Sequence, residues 1–185
     1  MSTYKGSPIG VDRRKICEDF FKTPGYAVDA VRKYIPKDAI VWEPTYGMGD
    51  LVKGLENKII KTDKYPKTDD TKAFDFLTDE PDFEYDLIYF NPPFCLKTEF
   101  LQRALSFNKP FLFVCPLDIL ATQTRSKLFY ENKLSIINLS QRVNYTGKIN
   151  NVMFHSVFVI NDGLSKIHYE EIVIPKKIKV KVNND

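Results

Sequence analysis

Tyr89-Phe90-Asn91-Pro92-Pro93-Phe94 is the stretch on which the reading of this chain turns. An apolar strand, Leu87 to Phe90, ends abruptly in a rigid polar corner followed by an aromatic ring. In an open α/β sheet, ligands sit outside the carboxyl ends of the strands, which is where this corner falls. The Asn91 side-chain oxygen can accept a hydrogen bond from an exocyclic amine. Pro92 and Pro93 stiffen the loop and leave their carbonyls free. Phe94 offers a ring face to a planar base. This is equipment for holding an amino group, not for hydrolysis or phosphoryl transfer.

Working outward, the pattern alternates short apolar strands with helices. Tyr26, Ala27, Ala30, Val31 and Tyr34 fall at helical spacing, Thr23-Pro24 suits a helix entry, and Pro36 ends the helix. A short helix over Arg13 to Phe20 precedes it, after a loose lead-in over 1–12. Strands are expected at Ile40–Trp42, Ile59–Thr62, just before Asp75, Tyr85–Phe90, Phe111–Cys115, Ser135–Leu139 and Val152–Ile160. His168–Ile174 is read as an added edge strand. Helices are expected at about 50–57, at Thr98–Phe107 and at Thr122–Tyr130. Such alternation predicts a mostly parallel, seven-stranded sheet with helices on both faces. The last strands are joined by loops too short for a helical crossover, so antiparallel pairing is expected at that end. The reading is one domain: a core over 13–174, a basic tail over 175–185 and no separate recognition domain.

Composition sets the outer bounds. The chain has 185 residues, 43% hydrophobic and 28% charged. A chain of this length buries roughly 70% of its extended surface, enough for a full core. Its 14 Phe and 10 Tyr are therefore expected mostly inside. A net charge of +3 suits a nucleic-acid partner without requiring one. The run Pro175-Lys176-Lys177-Ile178-Lys179-Val180-Lys181 reads as a solubilised tail or a phosphate-contacting arm. Cys17, Cys95 and Cys115 lack metal-ligand spacing and suggest a reducing compartment. With only two histidines, no metal site is expected. No apolar signal core or transmembrane-length window occurs, so an intracellular, soluble, cytoplasmic protein with no membrane partner is expected.

The glycine stretch Glu43-Pro44-Thr45-Tyr46-Gly47-Met48-Gly49 follows a strand and is expected to open a helix. Gly47 and Gly49 let a ligand approach the backbone, and a helix start offers free N–H groups. The stretch is neither a dinucleotide fingerprint nor a phosphate-binding P-loop. Glu43 would repel a diphosphate, so a cofactor with an amine and a neutral or cationic centre fits better. Asp63, 20 residues on at another strand end, can accept the hydroxyls of a ribose. Asp75 could accept the amino group of the cofactor's adenine, and Phe76 could line that ring.

Taken together, Phe21-Lys22-Thr23-Pro24, the Glu43–Gly49 stretch, Asp63, Asp75 and Asn91-Pro92-Pro93-Phe94 resemble the motifs of class I S-adenosylmethionine-dependent methyltransferases of the amino-group type. The motifs span residues 20–94, and the element order extends the likeness to about 160. The Phe-x-Thr-Pro leader, the Asn-Pro-Pro-Phe corner and Cys115-Pro116-Leu117 are similar to those of small phage or virus-type DNA adenine-N6 methyltransferases. What this sequence lacks is a target recognition domain.

The resemblance implies a Rossmann-like methyltransferase fold and S-adenosyl-L-methionine as cofactor. It implies that the Asn91 side-chain oxygen and the Pro92 carbonyl orient the N6 amine of adenine, with Phe94 stacked on the extruded base. Phe21 would cover the methionine portion of the cofactor. The Thr23 hydroxyl or nearby backbone would bind its carboxylate, and Tyr46 would shape the same pocket. Tyr145 could form an opposing wall for the base, while Arg142 and Lys148 contact phosphates or stay solvated. Cys95 and His155 read as structural. DNA is the expected partner, with RNA as the alternative, and a homodimer or partner subunit could supply recognition. The same motif also serves RNA adenine or guanine amino methylation and protein glutamine methylation. A non-catalytic nucleic-acid-binding subunit is the remaining reading.

Overall fold

The computed structural model describes residues 21–145 and 154–174. The expected helix over Arg13 to Phe20, residue Lys148 and the basic tail lie outside the described residues.

Runs of β-branched and aromatic residues set the strands. These are β1 (Val41–Glu43), β2 (Ile59–Asp63), β3 (Lys72–Ala73), β4 (Leu87–Phe90), β5 (Phe111–Pro116), β6 (Ser135–Leu139), β7 (Ser156–Ile160) and β8 (Ile167–Glu170). They form one eight-stranded sheet in the order β3-β2-β1-β4-β5-β7-β6-β8. Seven of these are the strands expected from the pattern, and β8 is the added edge strand, shorter than the expected His168–Ile174. All neighbouring pairs are parallel except the two that β7 makes with β5 and β6. The antiparallel character is thus confined to β7, inserted between two parallel strands. β8 returns beside β6 and runs parallel to it.

The central strands are buried on both faces, which is why they read as unbroken apolar runs. Trp42, Ile88, Phe90, Phe111 and Phe113 point to one face, under α2 (Lys97–Ser106) and α3 (Gln123–Glu131). Val41, Leu87, Tyr89, Leu112 and Val114 point to the other, under α1 (Gly25–Val31). Each helix has a local cause. Pro24 stands extended before α1 and its carbonyl accepts from Ala27 at 2.9 Å. α2 buries Phe100, Leu101 and Ala104, spaced to fall on one helical face. Thr122 caps α3 by accepting from the Arg125 backbone.

The helix expected over 50–57 does not form. Between β1 and β2 the chain makes turns only. Gly54 takes φ +79° one turn in, and the Arg32 guanidinium donates to its carbonyl, which ends any helical run. Leu51 and Val52 still bury themselves against the α1 face. No helix among the described residues is long and apolar enough to cross a membrane.

Candidate active site

Parallel strands deliver their carboxyl ends to one rim of the sheet. Glu43 closes β1, Asp63 closes β2, and Asn91 follows β4 directly. The rim is drawn together by Asn91. Its backbone N–H donates to Thr45 Oγ1 at 3.1 Å. Its side-chain Nδ2 donates to the Phe21 carbonyl at 2.7 Å and to Thr23 Oγ1 at 3.2 Å. A carbonyl accepts only from a donor, so this contact fixes which end of the amide is nitrogen. Oδ1 is then the end left to accept from another molecule. Next in the chain, the Pro92 carbonyl accepts no hydrogen bond among the described residues, whereas the Pro93 carbonyl accepts from Leu96 at 2.9 Å.

Glu43 is 1% exposed, and its Oε2 has no hydrogen-bond partner among the described residues. Burial drives its carboxyl well above the ordinary range, and Asp63 and Asp50 push the same way. The Tyr89 hydroxyl of β4, near enough for the Glu43 charge to act on it, is also buried without a partner among the described residues. Such atoms are costly to leave unpaired. A ligand that brings an N–H donor to Glu43 would satisfy the carboxylate.

This arrangement gives a pH dependence. With its folded pKa raised, Glu43 contributes stability that is fully present below its unfolded pKa of about 4.3 and is lost as pH rises through the folded value. Glu43→Gln removes the titration. Its melting temperature should exceed that of the wild type at pH 8, and the gap should close toward pH 4. An unpaired buried polar group costs about 1–3 kcal/mol, which corresponds to a shift of roughly 2–4 °C per kcal/mol for a chain of this size. Scanning calorimetry of both proteins across that range is the check. A gap that does not vary with pH would rule out the ionised Glu43 as its source.

Asp63 is engaged rather than free. Its Oδ2 accepts from the Gly47 N–H and its Oδ1 from the Tyr65 N–H, both at 2.8 Å. It therefore pins the glycine turn, and each oxygen keeps a further lone pair for a ligand hydroxyl. Gly47 and Gly49 take φ +54° and +74°, a region that side chains with a Cβ rarely adopt. A Cβ at Gly47 would meet nothing closer than the Thr45 carbonyl at 3.9 Å, so space is open there. At Gly49 a Cβ would lie 2.6 Å from the Tyr46 hydroxyl, because the Tyr46 ring folds over this glycine.

No family model matches the chain, and no curated protein is found as a relative. Solved structures share its architecture. A protein from Pyrococcus horikoshii described as an RNA methyltransferase superposes with a TM-score of 0.58 at 16% identity, over 78% of this chain and 86% of that one. A protein from Vibrio vulnificus described as a modification subunit of a type I restriction enzyme gives 0.53 at 17%, over 91% of this chain and 50% of that one. The present chain thus spans half the length of that subunit. A dimethyladenosine transferase from Plasmodium falciparum gives 0.52 at 17%, over 76% and 61%. The fold is that of the class I S-adenosylmethionine-dependent methyltransferases.

Within this methyltransferase fold, Glu43, Gly47 and Asp63 are suited to a cofactor bearing an amine and a ribose. Pro44 is buried beside Glu43 at the start of the turn. Other residues singled out in the sequence stand differently. Phe76 is 2% exposed and stacks on Phe100 at 5.1 Å and 14°, in the core beside Trp42. Its ring fills the sheet's apolar layer instead of lining a pocket. Asp75 pairs with Lys64 at 2.8 Å and accepts from the Leu77 N–H at 3.1 Å, holding its own loop.

The aromatic residues form a cluster of their own. Phe94 is 5% exposed and stacks on Phe21 at 5.2 Å and 18°. Tyr145 and Phe154 pack around the pair. The face of Phe94 that a base would use is covered by Phe21 itself. Tyr145 is tied to Ser156 by a hydrogen bond of 2.8 Å, while Arg142 is exposed. Thr45 and Tyr89 lie in the two stretches that the sequence singles out, although nothing there marks either one for a role at the rim, and Phe154 is not marked at all. Cys95, read from the sequence as a reduced, packed thiol, is disulfide-bonded, and Cys115 is a buried free thiol. His155 meets Asn138 at 2.8 Å. Among the described residues no group of three or more metal-ligating side chains occurs. A cavity of about 520 Å³ lies at the opposite end of the strands, lined by Tyr34, Pro36, Leu87, Phe111 and Ile160, away from every residue of the rim.

Proposed function

We propose that this chain transfers a methyl group from S-adenosylmethionine to the N6 amine of adenine in nucleic acid, with DNA as the first substrate. The observation that carries this reading is the held Asn91 amide. Its two N–H groups are directed at Phe21 and Thr23, which leaves Oδ1 as the end of the amide able to accept, with the Pro92 carbonyl next in the chain. Two acceptors at one corner suit an amine whose lone pair is delocalised into a ring. Each receives one N–H, and the lone pair is then aimed at the reacting carbon. The same acceptors favour positive charge developing on that nitrogen. The bound cofactor supplies an electrophilic methyl on a sulfonium. Glu43 would take its amine, Asp63 its ribose hydroxyls, and the open space at Gly47 would admit its backbone-proximal atoms. The amine proton leaves after transfer, so no strong base is required at the corner.

Phe94 and the rings around it suit a flat base, which enters by taking the place of the Phe21 ring. A base inside a duplex cannot reach this corner, so it must be flipped or unpaired. RNA is the alternative, and the compared structures support it better than DNA. The P. horikoshii protein described as an RNA methyltransferase is covered over 86% of its length, so a chain of this size matches nearly all of it. The P. falciparum fold relative is a dimethyladenosine transferase, which is consistent with an adenine amine.

The test is a methylation assay on single-stranded DNA, duplex DNA and RNA of matched sequence, followed by nucleoside mass analysis. N6-methyladenine in DNA is the expected product. The same product in RNA alone would move the substrate and keep the chemistry. Methylation of none of the three would overturn the reading.

A further inference from the structure

We propose that Thr23 and Thr45 are positioning residues for Asn91, Thr23 holding its side-chain amide toward the leader and Thr45 fixing the backbone that carries it. The inference deepens the methyl-transfer reading and rests on it for its kinetic consequence, but its structural content stands separately. Rotation of an Asn amide about χ2 is broad and roughly two-fold, so an unheld side chain presents its nitrogen about as readily as its oxygen. A nitrogen donor facing an amine would oppose transfer. Two contacts on the side chain oppose this, and a third fixes the backbone that carries it. The Phe21 carbonyl at 2.7 Å and Thr23 Oγ1 at 3.2 Å take up the two hydrogens of Nδ2. Thr45 Oγ1, at 3.1 Å, holds the backbone N–H of the same residue.

These contacts come from two separate segments. Thr23 is 4% exposed and lies in the leader to α1, whereas Thr45 lies in the glycine turn after β1. Both segments also carry residues assigned above to the cofactor side. The corner that grips the amine is therefore fastened to the leader and to the glycine turn by hydroxyl groups. By accepting from Asn91, the Thr23 hydroxyl keeps its own hydrogen to donate elsewhere. It can serve Asn91 without giving up a role toward a carboxylate.

The test compares Thr23→Val, Thr23→Ser, Thr45→Val and Thr45→Ser with the wild type. Turnover is measured at saturating substrate and cofactor, and S-adenosylmethionine affinity by titration. The side-chain amide resonances of Asn91 in the free protein are identified by their loss in Asn91→Ala. Each valine variant should lower kcat about fivefold to tenfold, as for one neutral hydrogen bond, with cofactor affinity within about twofold for Thr45→Val. Thr23→Val should also speed hydrogen exchange of the Asn91 side-chain amide, and both serine variants should behave like the wild type. A loss confined to cofactor affinity, or an unchanged kcat, would overturn the proposal. So would amide exchange unaffected by Thr23→Val. Thr23→Ser and the Thr45 pair keep the test decisive where Thr23→Val does not fold. Should the wild type methylate nothing, the methyl-transfer reading fails, while the exchange measurement still decides whether Thr23 holds Asn91.

Discussion

Asn91→Ala is expected to lower methyl-transfer turnover by about 100- to 1,000-fold, the scale seen when a single transition-state-stabilising group is removed. The residue follows β4 directly, and in the proposed reaction its Oδ1 is one of the two acceptors of the corner. Alanine leaves the Pro92 carbonyl in place, so one of the two acceptors survives and some activity should persist. The fold should persist as well. Asn91 is only half-buried, and its hydrogen bonds reach the leader and the glycine turn, not the strands of the core. Cofactor affinity should change little, because Glu43 and Asp63 remain. Turnover and cofactor titration on the same preparation separate the outcomes. Near-wild-type turnover in a folded variant would remove Asn91 from the chemistry.

Asp63→Ala should act on the other side of the reaction. Loss of a charge-assisted hydrogen bond to a ribose hydroxyl costs about 1.5–3 kcal/mol, or roughly 10- to 150-fold in the dissociation constant. The structure adds a second consequence. Asp63 accepts from the Gly47 and Tyr65 backbones, so alanine also releases the glycine turn. Weaker cofactor binding should come with a lower melting temperature. Calorimetric titration with S-adenosylmethionine and thermal unfolding measure the two effects separately. A lower melting temperature with an unchanged dissociation constant would make Asp63 a fastener of the loop and nothing more.

Several features of this chain depend on alternation along one strand or on punctuation between strands, and these are local. The burial of β4 on both faces is written in Leu87-Ile88-Tyr89-Phe90, as is the abrupt corner at Asn91-Pro92. The positions of β1, β2, α2 and α3 differ from the pattern-based expectation by only a residue or two. The exception is instructive. Residues 50–57 carry enough apolar character for a helix, but Gly54 and the Arg32 guanidinium stop it, and Arg32 lies 22 residues away in sequence. Phe76 shows the same limit on a smaller scale. Its place after Asp75 suits a pocket wall, yet the neighbouring Trp42 and Phe100 hold the ring in the core.

By itself, the sequence determined the alternation of strands and helices, the largely parallel sheet and the placing of Glu43, Asp63 and Asn91 at strand ends. Each follows from periodicity, turn residues and chain order, which act over a few residues. Only the tertiary structure decided that β8 runs parallel to β6, that Phe21 stacks on Phe94, and that Glu43 Oε2 and the Tyr89 hydroxyl are buried without partners among the described residues. It also decided that the Asn91 amide is held by groups 46 to 70 residues away. The reason is physical: hydrogen-bond direction and ring stacking are set within a few ångströms in space, and those distances exist only once the sheet has brought its carboxyl ends to one rim.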